Sequence, residues 1–314
     1  MRQLFPAIEP FNTGYLNKGL HEIYYEQSGN PDGYPVLFLH GGPGGGGDIN
    51  ARRFFDPSHY KIIILDQRGS GRSKPLGCVE DNTTQHLIED IHEIKNHLNI
   101  KSWHVFGGSW GSTLSLAYAQ AFPNEVSALI LRGIFLLRKR ELDWFYQYGA
   151  SEIYPDAWEN YISVIKEPDQ DNLLSAFYEL IHHADNVTQM RACKAWSQWE
   201  GATSKLVPDR GLIDHFASDD FAVALAKIET HYFMNRGFFS SETQVLQNID
   251  KIRHIPSVII QGRYDVVCPS RTAYELHQAW PEADFKIAEV SGHSAYEKEI
   301  TDLLIEATEK FKDI

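Results

Sequence analysis

The 314-residue chain can bury a substantial core, as one large domain or as one domain carrying a sizeable insertion. Its formal net charge of −13 and pI near 5.5 argue against a phosphate-binding surface, so nucleic acid is not an expected partner. Pro6 and Glu9 arrive too early for a signal peptide, no run approaches about 18 apolar residues, and three scattered cysteines (Cys78, Cys193, Cys268) suit neither a disulfide framework nor a zinc site. The expectation is a cytoplasmic protein with no membrane segment and no bound metal.

In chain order, residues 13–29 predict a β-hairpin with Asn17-Lys18-Gly19 as its turn. Short aliphatic runs follow at 35–40, 61–66, 103–107, 126–133, 256–262 and 285–292, and near-continuous apolar runs of this length suit strands buried on both faces of a parallel sheet. Helical patterns separate several of them. Leu87, Ile91, Ile94 and Leu98 form one apolar stripe, residues after Ser109 form a small-residue helix, and Ile300, Leu303, Leu304, Ala307 and Phe311 form another stripe in the tail. Alternating strands and helices predict an α/β fold, a mostly parallel central sheet with helices on both faces. Between 136 and 245 the alternation stops. That segment holds Trp144, Trp158, Trp196 and Trp199 and reads as helical throughout, before the strand pattern resumes near Ile255. The expected organisation is therefore a core built from 1–135 and 246–314, with 136–245 inserted as a helical cap.

The chemistry centres on Gly107-Gly108-Ser109-Trp110-Gly111, which lies between a predicted strand and a predicted helix. In that context G-x-S-x-G lifts a serine hydroxyl above the sheet edge at the positive end of the helix, although five residues alone recur often by chance. A serine needs a base. Of fourteen histidines, His293 follows the last predicted strand, whereas His86, His92, His97, His182 and His183 fall on predicted helices and read as solvated side chains. Asp265 follows the preceding strand and can hold the imidazole in one tautomer. Serine, acid and histidine thus occur in that chain order, each beyond the C-terminal end of a strand, which is the α/β-hydrolase arrangement. The glycine-rich loop after His40 offers backbone donors for an oxyanion, with Gly42 N–H and Trp110 N–H as the expected pair.

The segments "LHGGPGGG", "DQRGSGRS", "GGSWGSTLSLAYAQAFP", "RGIF", "WSQWEGATS", "KIETHYF" and "QGRYDVVCP" together closely resemble the proline iminopeptidases, α/β-hydrolase serine peptidases that remove an N-terminal proline. The resemblance covers nearly the whole chain. It implies Ser109, Asp265 and His293 as the triad, Gly42 and Trp110 as oxyanion donors, and Glu200 and Glu229 as the pair that holds the substrate's amino terminus. It also implies Arg132, Phe135 and Cys268 around the proline pocket, with Phe145 in place of a tyrosine there. Phe135 and Trp110 are the expected apolar floor for a pyrrolidine ring. The substrates would be small peptides with N-terminal proline, and no cofactor is implied. Two alternatives remain at this point: an esterase or amidase acting on small acyl substrates, because fold and triad do not fix the substrate, and a non-catalytic binding module of the same fold. Dehalogenase and epoxide-hydrolase chemistry would need Asp in place of Ser109.

Overall fold

The computed structural model describes residues 1–314. Its centre is an eight-stranded sheet of order β1-β2-β4-β3-β5-β6-β7-β8. The strands are β1 (Pro10–Lys18), β2 (His21–Gly29), β3 (Tyr34–Leu39), β4 (Tyr60–Leu65), β5 (Trp103–Ser109), β6 (Val126–Ile134), β7 (Ser257–Gly262) and β8 (Asp284–Ala288). β1 and β2 pair antiparallel, as do β2 and β4, and every other pair is parallel. The α/β reading of the sequence therefore holds.

Alternation along the central strands builds two cores. Val36, Ile62, Ile64, Phe106, Ile130, Val258 and Ile260 face one way, against Phe54 and the last helix. Leu37, Leu39, Ile63, Leu65, Val105, Leu129, Leu131 and Ile259 face the other way, in the larger core. Helix α1 (Thr84–His97), α2 (Trp110–Ala121) and α10 (Ser270–Ala279) contribute to the larger core, and α11 (Lys298–Lys310) covers the opposite face through Ile300, Leu304 and Ala307. Between β6 and β7 run α3 (Lys139–Tyr146), α4 (Pro155–Ile162), α5 (Leu173–His183), α6 (Asn186–Thr203), α7 (Arg210–Phe216), α8 (Asp219–Met234) and α9 (Gln244–Gln247). Their aromatic residues pack together, with Tyr161 stacked on Phe177 at 4.5 Å and Tyr146 stacked on Trp196 at 4.2 Å.

Two local expectations shift. The hairpin turns at Gly19-Leu20, because Asn17 and Lys18 stay paired in the ladder and only Gly19 takes the positive φ of 62° that the first position of such a two-residue turn demands. The last strand ends at Ala288, so His293 comes from a loop and not directly from the strand end. That loop is nevertheless fixed, since Arg263 N–H donates to Ala288 O and Tyr264 N–H to Ser291 O, each at 2.9 Å. These two bonds stitch the turn after β7 to the turn after β8.

Helix α2 meets the sheet backbone to backbone. A Cβ on Gly111 would lie 2.1 Å from Leu39 O, and one on Gly107 would lie 2.2 Å from Gly111 O. Neither neighbour is a flexible side chain, so the glycines set the distance of helix from strand. Gly111→Ala is expected to destabilise the protein by about 3 kcal/mol or more, seen as a lowered Tm in a thermal melt.

Candidate active site

The strand order reverses direction between β3 and β5: the chain leaves β3 toward β4 on one side and leaves β5 toward β6 on the other. Crevices form outside the C-terminal ends of strands at such a point. Ser109 ends β5 there and caps α2 with φ 57° and ψ −128°, a strained conformation for a residue with a side chain. The Gly41 Cα packs beside it, since a Cβ there would sit 3.3 Å from Ser109 Cβ.

His293 Nδ1 and Asp265 Oδ2 are 2.8 Å apart and both residues are buried. An ionised carboxylate only accepts, so Nδ1 carries the proton and Nε2 the lone pair. Asp265 is itself held from two more sides: Cys268 N–H donates to Oδ1 at 2.7 Å and Gln261 Nε2–H to Oδ2 at 3.0 Å. Gln261 also accepts from Ile134 N–H at 3.0 Å, which ties the acid to the end of β6. His293 Nε2 meets Arg132 Nη1 at 3.2 Å and forms no hydrogen bond with Ser109, whose hydroxyl stands beside the Cys268 thiol. Burial first, and then the nearby carboxylates of Asp265 and Glu141, push that thiol well above its ordinary pKa, so Cys268 is a neutral wall of the site.

The glycine loop after β3 is anchored by the "DQRGSGRS" segment. Gly47 N–H donates to Asp66 Oδ1 at 2.8 Å, and Arg72 Nε–H donates to Asp66 Oδ2 at 2.7 Å. Gln67 links the loop to α2, donating to His40 O at 3.0 Å and accepting from the Trp110 indole at 2.8 Å. The Trp110 N–H, first in its helix, has no acceptor within that helix. Its ring, however, is fully buried against Tyr232 and its indole N–H is spent on Gln67, so it is not part of an apolar floor.

A small cavity opens from Ser109 and Gly42. Phe135, Phe145, Glu200, Glu229 and Cys268 line it as well, together with Tyr146, Phe233, Val267 and Glu141. Arg132 is absent from that wall. It lies behind Gly108 in a second hollow, with His293. The two glutamates come from α6 and α8 and face each other within hydrogen-bonding reach. Tyr146 OH donates to Glu200 Oε1 at 2.5 Å and Trp196 Nε1–H to Glu229 Oε2 at 2.6 Å, but no cation pairs with either carboxyl group. Burial raises both pKa values; for Glu229, which is 1% exposed, the neighbouring Glu200 charge adds to burial and lifts it well above the ordinary range. Glu141 is different. Arg138 pairs with it and Leu136 N–H donates to it at 2.8 Å, so its charge is already answered.

Gln67 and Gln261 lie inside the motif segments but have no assigned role there, and Tyr146 lies outside every one of them. Tyr146, beside Phe145, presents its phenol to Glu200; burial, Glu200 and Glu229 push its pKa well up and keep it a donor. Their roles show only in three dimensions: Tyr146 reaches Glu200, Gln67 reaches His40 and Trp110, and Gln261 joins nearby Asp265 to the distant Ile134 N–H.

A family model described as alpha/beta hydrolase fold matches residues 34–300. A protein of Leptolyngbya boryana named "Probable proline iminopeptidase" is 55% identical over 99% of this chain and 97% of its own. The proline iminopeptidase of Arabidopsis thaliana is 51% identical over 99% of this chain and 82% of its own. Among solved structures, a carboxylesterase of the thaumarchaeon Nitrososphaera gargenis is 20% identical, covers 96% of this chain and 100% of its own with TM-score 0.64, and is alike in fold. No helix is long and apolar enough to cross a membrane. With the hydrolase model matching β3 through β8 and curated relatives matching nearly the whole chain at such identities, this chain belongs to the proline iminopeptidase family of the α/β-hydrolase fold.

Proposed function

We propose that this chain is a cytoplasmic serine aminopeptidase that releases proline from the N-terminus of small peptides through a prolyl-enzyme intermediate. The observation that carries the reading is the pair of buried, cation-free carboxyl groups in the cavity that opens from Ser109. Two buried acids without a counter-charge are costly in an empty site and become favourable when a cation arrives. The secondary ammonium of an N-terminal proline is such a cation. Phe135, Phe145 and Phe233 offer apolar surface to its ring, while segment 136–245 acts as the cap that brings the carboxylates over the core.

In this reading the imidazole is pinned by Asp265 and the serine hydroxyl turns about Cα–Cβ to reach Nε2. His293 takes the proton, Ser109 Oγ attacks the prolyl carbonyl, and Gly42 and Trp110 N–H groups receive the oxyanion. His293 then hands its proton to the leaving nitrogen. A water activated by the same imidazole hydrolyses the prolyl ester. Prolyl β-naphthylamide is expected to be hydrolysed, and N-acetylprolyl β-naphthylamide to react at least about a hundredfold more slowly in kcat/KM, since acetylation removes the charge and adds bulk at the carboxylates. Equal rates would overturn the aminopeptidase reading in favour of an amidase or esterase.

A further inference from the structure

The second hollow shares no lining residue with the carboxylate cavity and flanks Ser109 through Gly41 and Gly108. Arg132 and His293 line it from the core, and Leu212 and Phe216 from α7. Arg132 is the unusual member. Its Nη1 donates to His293 O at 2.9 Å and meets His293 Nε2 at 3.2 Å, while its Nε is buried with no partner. None of its nitrogens pairs with a carboxylate, and burial lowers its pKa. The Asp265 charge reaches it without an ion pair, so a guanidinium with an unspent N–H is poorly compensated, as the two glutamates are.

The direction of the reaction decides what this side of the serine receives. The leaving nitrogen takes its proton from His293 Nε2, so it must come within about 3 Å of that atom. The carbonyl carbon of the residue after proline is two bonds further on, which puts its oxygen within about 4 Å of the leaving nitrogen. Arg132 Nη1 already sits 3.2 Å from the same imidazole atom. We propose that Arg132 and this hollow form the subsite for the residue that follows proline, with the guanidinium donating to its main-chain carbonyl or, in a dipeptide, to its terminal carboxylate. Leu212 and Phe216 then border its side chain. Drawing Nη1 onto the substrate also releases the Nε2 lone pair for the serine proton, so the occupied subsite readies the base. Arg132 thereby leaves the proline pocket where the family resemblance put it. This inference rests on the aminopeptidase reading.

The test compares prolyl-glycine, prolyl-glycinamide and prolyl β-naphthylamide, the last of which has no oxygen acceptor beyond its leaving nitrogen. In Arg132→Gln the ratio of kcat/KM for prolyl-glycinamide to that for the naphthylamide is expected to fall at least about tenfold, mainly through KM, with Arg132→Lys keeping part of it. A larger fall for prolyl-glycine than for its amide would mark pairing with the carboxylate. An equal loss on all three substrates would show a merely structural role and overturn the proposal. If neither variant folds, the wild type gives the answer: during naphthylamide hydrolysis, added glycinamide or ethylamine attacks the prolyl ester, forming the new C–N bond as the C–Oγ bond breaks and the amine proton returns through His293 to Ser109. Glycinamide is expected to trap the prolyl group at least about tenfold better than ethylamine at equal free-base concentration, and equal trapping would overturn the subsite. A wild type inactive on all three substrates would instead sink the aminopeptidase reading, and this one with it.

Discussion

Ser109→Ala is expected to lower kcat/KM for prolyl β-naphthylamide by about 10⁴-fold or more while leaving the thermal melt nearly unchanged. The hydroxyl holds no part of the fold together. The bond that closes the first turn of α2 runs from Ser112 Oγ to Ser109 O at 2.7 Å, and alanine keeps that carbonyl. His293→Ala should be comparably inactive. Asp265→Asn should lose activity and some stability together, because the carboxylate accepts from Cys268 N–H, Gln261 and His293 at once, and an amide must turn a donor toward one of them. A Ser109→Ala enzyme keeping more than about one hundredth of wild-type kcat/KM would remove serine catalysis from this site.

Glu229→Gln and Glu200→Gln should each cost at least about tenfold in kcat/KM on prolyl β-naphthylamide, roughly 1.4 kcal/mol of transition-state stabilisation, while a small neutral ester such as p-nitrophenyl acetate is hydrolysed as before. The stability effect has the opposite sign. A buried carboxyl whose folded pKa is raised above its unfolded value is stabilising below the unfolded value, and that stability is lost as pH rises through the folded one. Glutamine does not titrate. The Tm of Glu229→Gln should therefore exceed that of the wild type at pH 8, with the gap narrowing toward pH 4. The substrate ammonium favours the ionised pair, so wild-type KM should rise as pH falls. A Glu229→Gln enzyme with full prolyl activity would show that the carboxylate is not the ammonium partner.

Strands and their direction were legible because buried parallel strands leave continuous aliphatic runs such as Ile62–Leu65, and Ser109 was legible because its glycines are required by contacts under 2.5 Å. The sheet order was not. Hydrophobic periodicity says that Val36 and Ile62 are buried, but not that β4 lies outside β3. The same limit hid the true surroundings of Arg132 and Trp110. Both belong to motif segments, yet the direction of a side chain from its backbone depends on tertiary neighbours: Gly108 leaves room for the guanidinium, and Gln67 claims the indole. Tyr146 was missed for a related reason. Its value lies in reaching Glu200 across 54 residues of chain, which no local pattern encodes.

The carboxylates line the same small cavity as Ser109, and in the proposed reading this makes the site a ruler of length one. A chain whose proline lies further in would bring an uncharged amide to the two acids in place of an ammonium. Consecutive prolines at a peptide's head would be removed one turnover at a time, each cut exposing the ammonium that licenses the next. The first residue that is not proline would end the sequence of cuts, so the enzyme would trim a peptide back to a defined boundary without ever measuring its total length.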